Sequence, residues 1–342
     1  MTADTGLRMF LLLGCGFMLA PAGLAVAAAP EALHDAVVQG DLVQLDALLT
    51  QGADANAPTQ SGRNTALHLA ALLGNGRATE LLLQNGAQPD ARNAQGHTPL
   101  HWAALCVMPE AASAEGRARV IKLLLDRNAD PNRKDDHGQT PLHWALQRTV
   151  AADVADYFLG FGLASQGQKT SPSGGRPAVR CRPATIVALA GRRADLYART
   201  SDGTQVIDLA IASRQPELVR QLLDSGLNLQ KTSGGGDKLM LAAARADEPA
   251  IVRLLVEHGI SVRQRDEDGN SALHVAASAG FAGTVTALLD AGAEVNARNA
   301  RGDTPLDLAS VEAVRIMLRA RGAKTGHPLR LHVRRQEVPH VV

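Results

Sequence analysis

Thr98-Pro99-Leu100-His101-Trp102-Ala103-Ala104 reads as the opening of a short helix. A threonine hydroxyl can cap a helix, proline suits the first helical position, and small alanines let a second helix approach closely. The stretch returns as Thr140-Pro141-Leu142-His143-Trp144-Ala145. Looser copies are Thr65-Ala66-Leu67-His68-Leu69-Ala70-Ala71 and Ser271-Ala272-Leu273-His274-Val275-Ala276-Ala277. Leucine-dense runs such as Leu81-Leu82-Leu83, Leu123-Leu124-Leu125 and Leu254-Leu255 follow, each able to bury one side of a short helix. They stop at Gly52, Gly86, Asn128, Gly162, Arg193, Gly226, Gly259, Gly292 and Gly322, at intervals of 34, 42, 34, 31, 33, 33, 33 and 30 residues. The residue just past a helix end often takes the left-handed conformation, which glycine and then asparagine tolerate best; only Arg193 departs from that rule. A period in this range signals a solenoid, which places function on a long surface rather than in a pocket.

With Gly86-Ala87 and Gly292-Ala293 at their far ends, these units closely resemble ankyrin repeats over roughly residues 30–324. The resemblance implies an all-α repeat solenoid of stacked helix-turn-helix units with β-hairpin fingers, about nine units with one degenerate. It also implies that the motif histidines hydrogen-bond within and between units. Composition agrees: 342 residues, 45% apolar but only 3% aromatic, suit thin layers of Ala, Leu and Val better than the core of a closed enzyme. The formal net charge of +1 favours neither nucleic acid nor a uniformly acidic partner.

Residues 1–29 are a different kind of sequence. Arg8 precedes an apolar stretch from Met9 to about Ala20, and Ala25-Val26-Ala27 offers small residues for a peptidase, so the segment reads as an export signal cleaved after Ala27. A short uncleaved anchor is the alternative, although Pro21 and Gly23 break the stretch before it reaches the ~20 residues of a spanning helix. Leu12-Leu13-Gly14-Cys15 leaves a lipid anchor at Cys15 as another. The expected destination is periplasmic or secreted. In such a compartment Cys106 and Cys181 are permitted to form a disulfide; the alternative is a small buried residue and a loop thiol.

Two places break the period. His101 to Asn128 is 27 residues where 18 is usual, so an insertion is expected around 107–116. Leu142 to Ile207 spans 65 residues, read as two periods, with the first half of the missing unit replaced by the Pro/Gly-rich segment 165–184. This divides the chain into repeats 30–164 (four units), an interruption at 165–184, repeats 185–324 (a half-unit plus four) and a basic tail 325–342. The stack is expected to be interrupted or loosened at the break. The first unit, with His34, Asp35, Gln39, Asp41 and Gln44, reads as a polar cap, and the shortened last unit as its counterpart.

Catalytic patterns fail. Gly162 to Thr170 imitates a phosphate-binding loop, but Gln168 separates glycine from lysine and no strand-then-helix context surrounds it. His97, His101, His137 and His143 suggest a metal site only until the two motif members are set aside, and no cysteine pair or HExxH supplies further ligands. Neither metal, cofactor nor catalytic residue is expected. Trp102 and Trp144 occupy a position filled elsewhere by Leu69, Val275 and Leu308, which reads as core.

The ankyrin resemblance places partner contacts on the finger tips and the first helix of each unit. The matching residues are Arg92, Gln95, His97, Arg133, Asp136, His137, Gln139, Gln147, Arg148, Arg265, Glu267, Asp268, Asn270, Arg301 and Asp303, with Ala94 and Arg298 beside them. Their mixed charge suits a folded protein more than a polyanion. The leading expectation is therefore an exported, non-enzymatic, monomeric scaffold that binds another protein through its concave face, as an inhibitor, immunity protein or protector. The alternatives are a ligand-binding or enzymatic site formed by 107–116 and 165–184, and a secreted effector acting on host proteins.

Overall fold

The structure, a computed structural model, describes residues 30–60, 62–105, 114–147, 183–232, 236 and 238–326. The leader with Cys15, the thiols Cys106 and Cys181, Arg148, the Gly162 stop, segments 107–113 and 165–182, and the tail from 327 lie outside the described residues. Among the described residues sixteen α-helices form eight pairs. They are α1 (Pro30–Gln39) with α2 (Leu42–Thr50), α3 (Ala66–Leu72) with α4 (Gly76–Gln84), α5 (Pro99–Ala104) with α6 (Ala114–Asp126), and α7 (Pro141–Leu146) with α8 (Pro183–Ala190). Next come α9 (Val206–Ala212) with α10 (Pro216–Asp224), α11 (Leu239–Ala246) with α12 (Pro249–Glu257), α13 (Ala272–Ala279) with α14 (Ala282–Asp290), and α15 (Pro305–Leu308) with α16 (Glu312–Ala320).

Each helix is short and apolar on one side, so no pair can bury its own surface and each must use its neighbours. The odd-numbered helices pack on one another in chain order as an inner layer, and the even-numbered helices do the same outside. Leu67, Leu100, Leu142, Ile207 and Leu273 are fully buried between the layers, as are Leu82, Leu124, Leu222 and Leu288. At about 1.5–3 kcal/mol for each buried side chain of this size, the repeated leucines hold the layers together. Trp102 and Trp144 are buried as well, in keeping with a core role.

The eight described helix-end stops all have positive φ, Arg193 included at 67°. Several fingers between pairs are tight turns closed by backbone bonds, such as Asn93 N–H to His97 O, Asp135 N–H to Gln139 O and Asn299 N–H to Asp303 O. Two add an isolated antiparallel bridge, Arg199 with Gln205 and Arg265 with Ser271. No strand forms among the described residues.

The stack is continuous across the expected break. Helix α8 lies between α6 and α10 in the outer layer, while α7 lies directly between α5 and α9 in the inner layer. Helices α7 and α8 therefore complete one pair in a continuous stack, and the described residues hold eight such pairs. Pro183 and Ala184, assigned to the irregular segment, begin the outer helix. Of the insertion expected around 107–116, Ala114 to Gly116 are helical and open α6. In the other six pairs the two helices are joined by two or three residues, such as Gly40–Asp41 or Ser213–Gln215.

Continuity shows in the fingers. Ala94 N–H donates to Gly62 O, Asp136 N–H to Gln95 O, Ser201 N–H to His137 O and Ala300 N–H to Asp268 O, each finger bonding the one before it. The Ser201 bond crosses the supposed gap. There a Cβ on Gly138 would stand 2.8 Å from Ser201 N, so only glycine permits the approach. Asn132 ties the same junction on the outer side, donating to Arg193 O and accepting from Asp195 N–H, as Asn56 does with Gly86 O and Gln88 N–H.

The motif histidines join the units a third way. Nδ1 of His68 accepts from the Thr65 amide at 3.2 Å, which fixes the proton on Nε2, and Nε2–H donates to His97 O at 3.1 Å in the next finger. His101 repeats this between Thr98 and Gln139 O, and His274 between Ser271 and Asp303 O. His143 bonds Thr140 in the same manner. His34, read as part of a polar cap, is fully buried and reaches Asn64 O, so the first unit already belongs to the series. In the fifth and eighth pairs Asp208 and Asp307 accept the same cap amide, and Asp307 also accepts Gly326 N–H, fastening the first residues of the tail.

Burial pushes His68 down to about 3 and His101 down to about 4. Both stay neutral in the fold but take a proton near 6.5 once unfolded, so their contribution is complete above pH 6.5 and is lost progressively as pH falls toward 4. Urea midpoints are expected to fall between pH 7 and 4.5, and the variant H68N/H101N to show a shallower slope over that range. An unchanged slope would contradict the bonding described.

Candidate functional site

Stacking turns the fingers into one face. Arg92, Arg133, Asp136, His137, Arg265, Glu267, Asp268 and Arg301 are exposed there. Gln95, Gln139, Gln147, Asn270 and Asp303 are half-buried. Gln95, Gln139 and Asp303 lend their carbonyls to the inter-unit bonds already described, and Gln147 donates its amide to Gln139 Oε1 at 2.6 Å. Ala94 and Arg298 are exposed.

His97 is the correction. It is buried at 2% exposure, because it points between units rather than out of its finger. Its ring stands edge-on to Trp144 with centroids 4.4 Å apart, and its Nε2 lies 3.9 Å from Asp135 Oδ2. Asp135 is the buried centre of this cluster. Its Oδ1 accepts from the His137 and Gln139 amides at 2.9 and 2.8 Å, and Oδ2 accepts Trp144 Nε1–H at 2.9 Å. On the other side Asn93 donates to Asn64 Oδ1, and its own Oδ1 accepts from the Gln95 and His97 amides. A Trp at this position therefore fills volume and also holds the carboxylate that shapes the next finger.

The recurrence of Asn93, Asp135, Asp266 and Asn299, each five residues before the cap of its unit, was the available signal for Asp135. Each short polar side chain bonds its own turn or its neighbour; Asn270 Oδ1, for example, accepts from Asn299 Nδ2. The face is thus rigid beneath and charged above. Arg92 pairs with Asp136 at 3.0 Å across the third and fourth pairs, both ends open to water. Asp90 is held above the ordinary carboxylate range by burial, partly offset by the Asp130 amide that donates to it.

His101 and His143 are occupied by helix caps, and the described residues contain no cluster of three His, Cys, Asp or Glu side chains placed to hold a metal ion. No described helix is long and apolar enough to cross a membrane.

Comparison with known proteins follows the same surface. The family model described as ankyrin repeats (3 copies) matches residues 33–114, 108–233, 207–299 and 239–327. Human Rabankyrin-5 is 36% identical over 80 residues, 20% of this chain and 7% of that protein. The mouse 2-5A-dependent ribonuclease is 40% identical over 75 residues, 22% and 10% of the two chains. Human ankyrin repeat and KH domain-containing protein 1 is 51% identical over 53 residues, 15% of this chain and 2% of that protein. The chain thus spans a tenth or less of the length of these relatives, and the likeness is one of repeats.

The two kinds of finger contact differ in worth. D135A strands the buried Trp144 Nε1–H and two part-buried amides and is expected to destabilise by about 2–4 kcal/mol, whereas R92A opens an exposed pair worth under about 1 kcal/mol. Chemical denaturation of both variants checks this; equal effects would show that Asp135 is not the buried anchor.

Proposed function

The chain belongs to the ankyrin-repeat family, and from that premise we propose that it is an exported, non-enzymatic scaffold that binds a partner protein through its finger face. Ankyrin repeats are protein-interaction modules, and the family's matches here cover repeats without a catalytic domain. The observation that carries the reading is the exposed run Arg133, Asp136 and His137 on a finger whose backbone is bonded to both neighbours. A surface held rigid before binding loses little conformational entropy when a partner docks. Its mixed charge gives specificity more than bulk attraction. Export rests on Arg8, the apolar Met9 to Ala20 stretch and Ala25-Val26-Ala27. Occupying a partner outside the cytoplasm, as an inhibitor, immunity protein or protector, needs no turnover and no cofactor.

Affinity capture from a periplasmic extract tests this. The protein is expected to retain a specific partner, and R133E/D136R/H137E to lose it at unchanged melting temperature. Capture of nothing specific, or full retention by the variant, would overturn this placement.

A further inference from the structure

Six successive fingers carry a cation immediately before the turn residue: Arg92, Lys134, Arg199, Lys231, Arg265 and Arg298. All six are exposed. Three of them lie along the stack, each reaching toward the same position in the next finger. Arg92 Nη1–H donates to Lys134 O at 3.1 Å, Lys134 Nζ–H to Arg199 O at 3.0 Å, and Arg265 Nη1–H to Arg298 O. Carbonyl bonds orient these groups without neutralising them. Among the described residues only Arg92 and Arg265 have a carboxylate within 4.0 Å, Asp136 and Glu294. Asp135 and Asp266 are turned into their own fingers, accepting backbone amides. The exposed acids Asp202, Glu267 and Asp268 come later, at the tips, and bound the cationic line on that side.

We infer that this line is a rail for an acidic segment of the partner in polyproline II conformation, with a carboxylate at every third residue. The inference rests on the scaffold reading above and supplies the chemistry of its partner. The period decides the conformation. Packed helices stand roughly 8–10 Å apart, so the cations recur at about that interval along the stack. Polyproline II rises about 3.1 Å per residue with three residues per turn, which returns every third side chain to one face after about 9 Å. An extended strand alternates faces every residue, so its third residues point alternately toward and away from the rail. Nucleic acid is disfavoured, since backbone phosphates recur at shorter intervals and the tip carboxylates repel them.

Fluorescence anisotropy on the full chain tests this with three labelled 18-residue peptides: (Glu-Pro-Ser)6, (Lys-Pro-Ser)6, and one of the first peptide's composition with its six glutamates contiguous. The periodic acidic peptide is expected to bind at least about 10-fold tighter than either control, with affinity falling as salt rises. R199E/K231E, at the middle of the rail, is expected to weaken it at least about 10-fold without changing the melting temperature. Equal binding of the periodic and contiguous peptides, indifference to R199E/K231E, or tighter binding of an 18-nucleotide single strand would overturn the inference. Absence of peptide binding while R199E/K231E still captures the same partner as the unmodified protein would overturn the rail and leave the scaffold reading standing.

Discussion

A neutral imidazole bonded at both nitrogens ties one unit of this protein to the next. The cap amide can only donate and the neighbouring carbonyl can only accept, so His68, His101 and His274 each have a single workable tautomer. One face of the ring finishes a helix and the other fixes where the next finger sits. Leucine burial supplies most of the cohesion but is indifferent to small slides between layers. The histidines, the Asn132-type bridges and the finger-to-finger backbone bonds are directional, and they set the register.

That division explains what could be read from the sequence. Capping threonines, a positive-φ stop and a leucine run are local signals, so the helix pairs and the stops at Gly86 or Gly292 were legible. Arg193 broke the rule yet takes the same left-handed backbone, because its carbonyl is held by Asn132 and its neighbour Ala194 is buried. One stretch was legible only in part. Sixty-five residues matched two repeats by arithmetic, but the layer to which a helix belongs is settled by contacts across the stack, and α8 packs outside between α6 and α10.

The site was legible by position and less so by direction. A finger at 92–97 was expected to present His97, and it does not, since Asp135 from the next finger and Trp144 from α7 draw that ring inward. Such a pull comes from a residue 38 places away. Conversely, the cationic position ahead of each turn was visible in the sequence as separate arginines and lysines, and only stacking reveals them as one line. The two longest stretches between an inner and an outer helix, 105–113 and 147–182, fall on adjacent pairs, and the fingers beside them still bond one another in step.

One uninterrupted stack runs beneath the finger face. Hydrogen exchange at the Ser201 amide tests this, because its bond to His137 O joins the backbones of the fingers on either side of the long connection. Protection of Ser201 is expected to match that of Ala94, Asp136 and Ala300, which make the equivalent bonds elsewhere. Exchange of Ser201 at the rate of an open loop, with the other three protected, would contradict it.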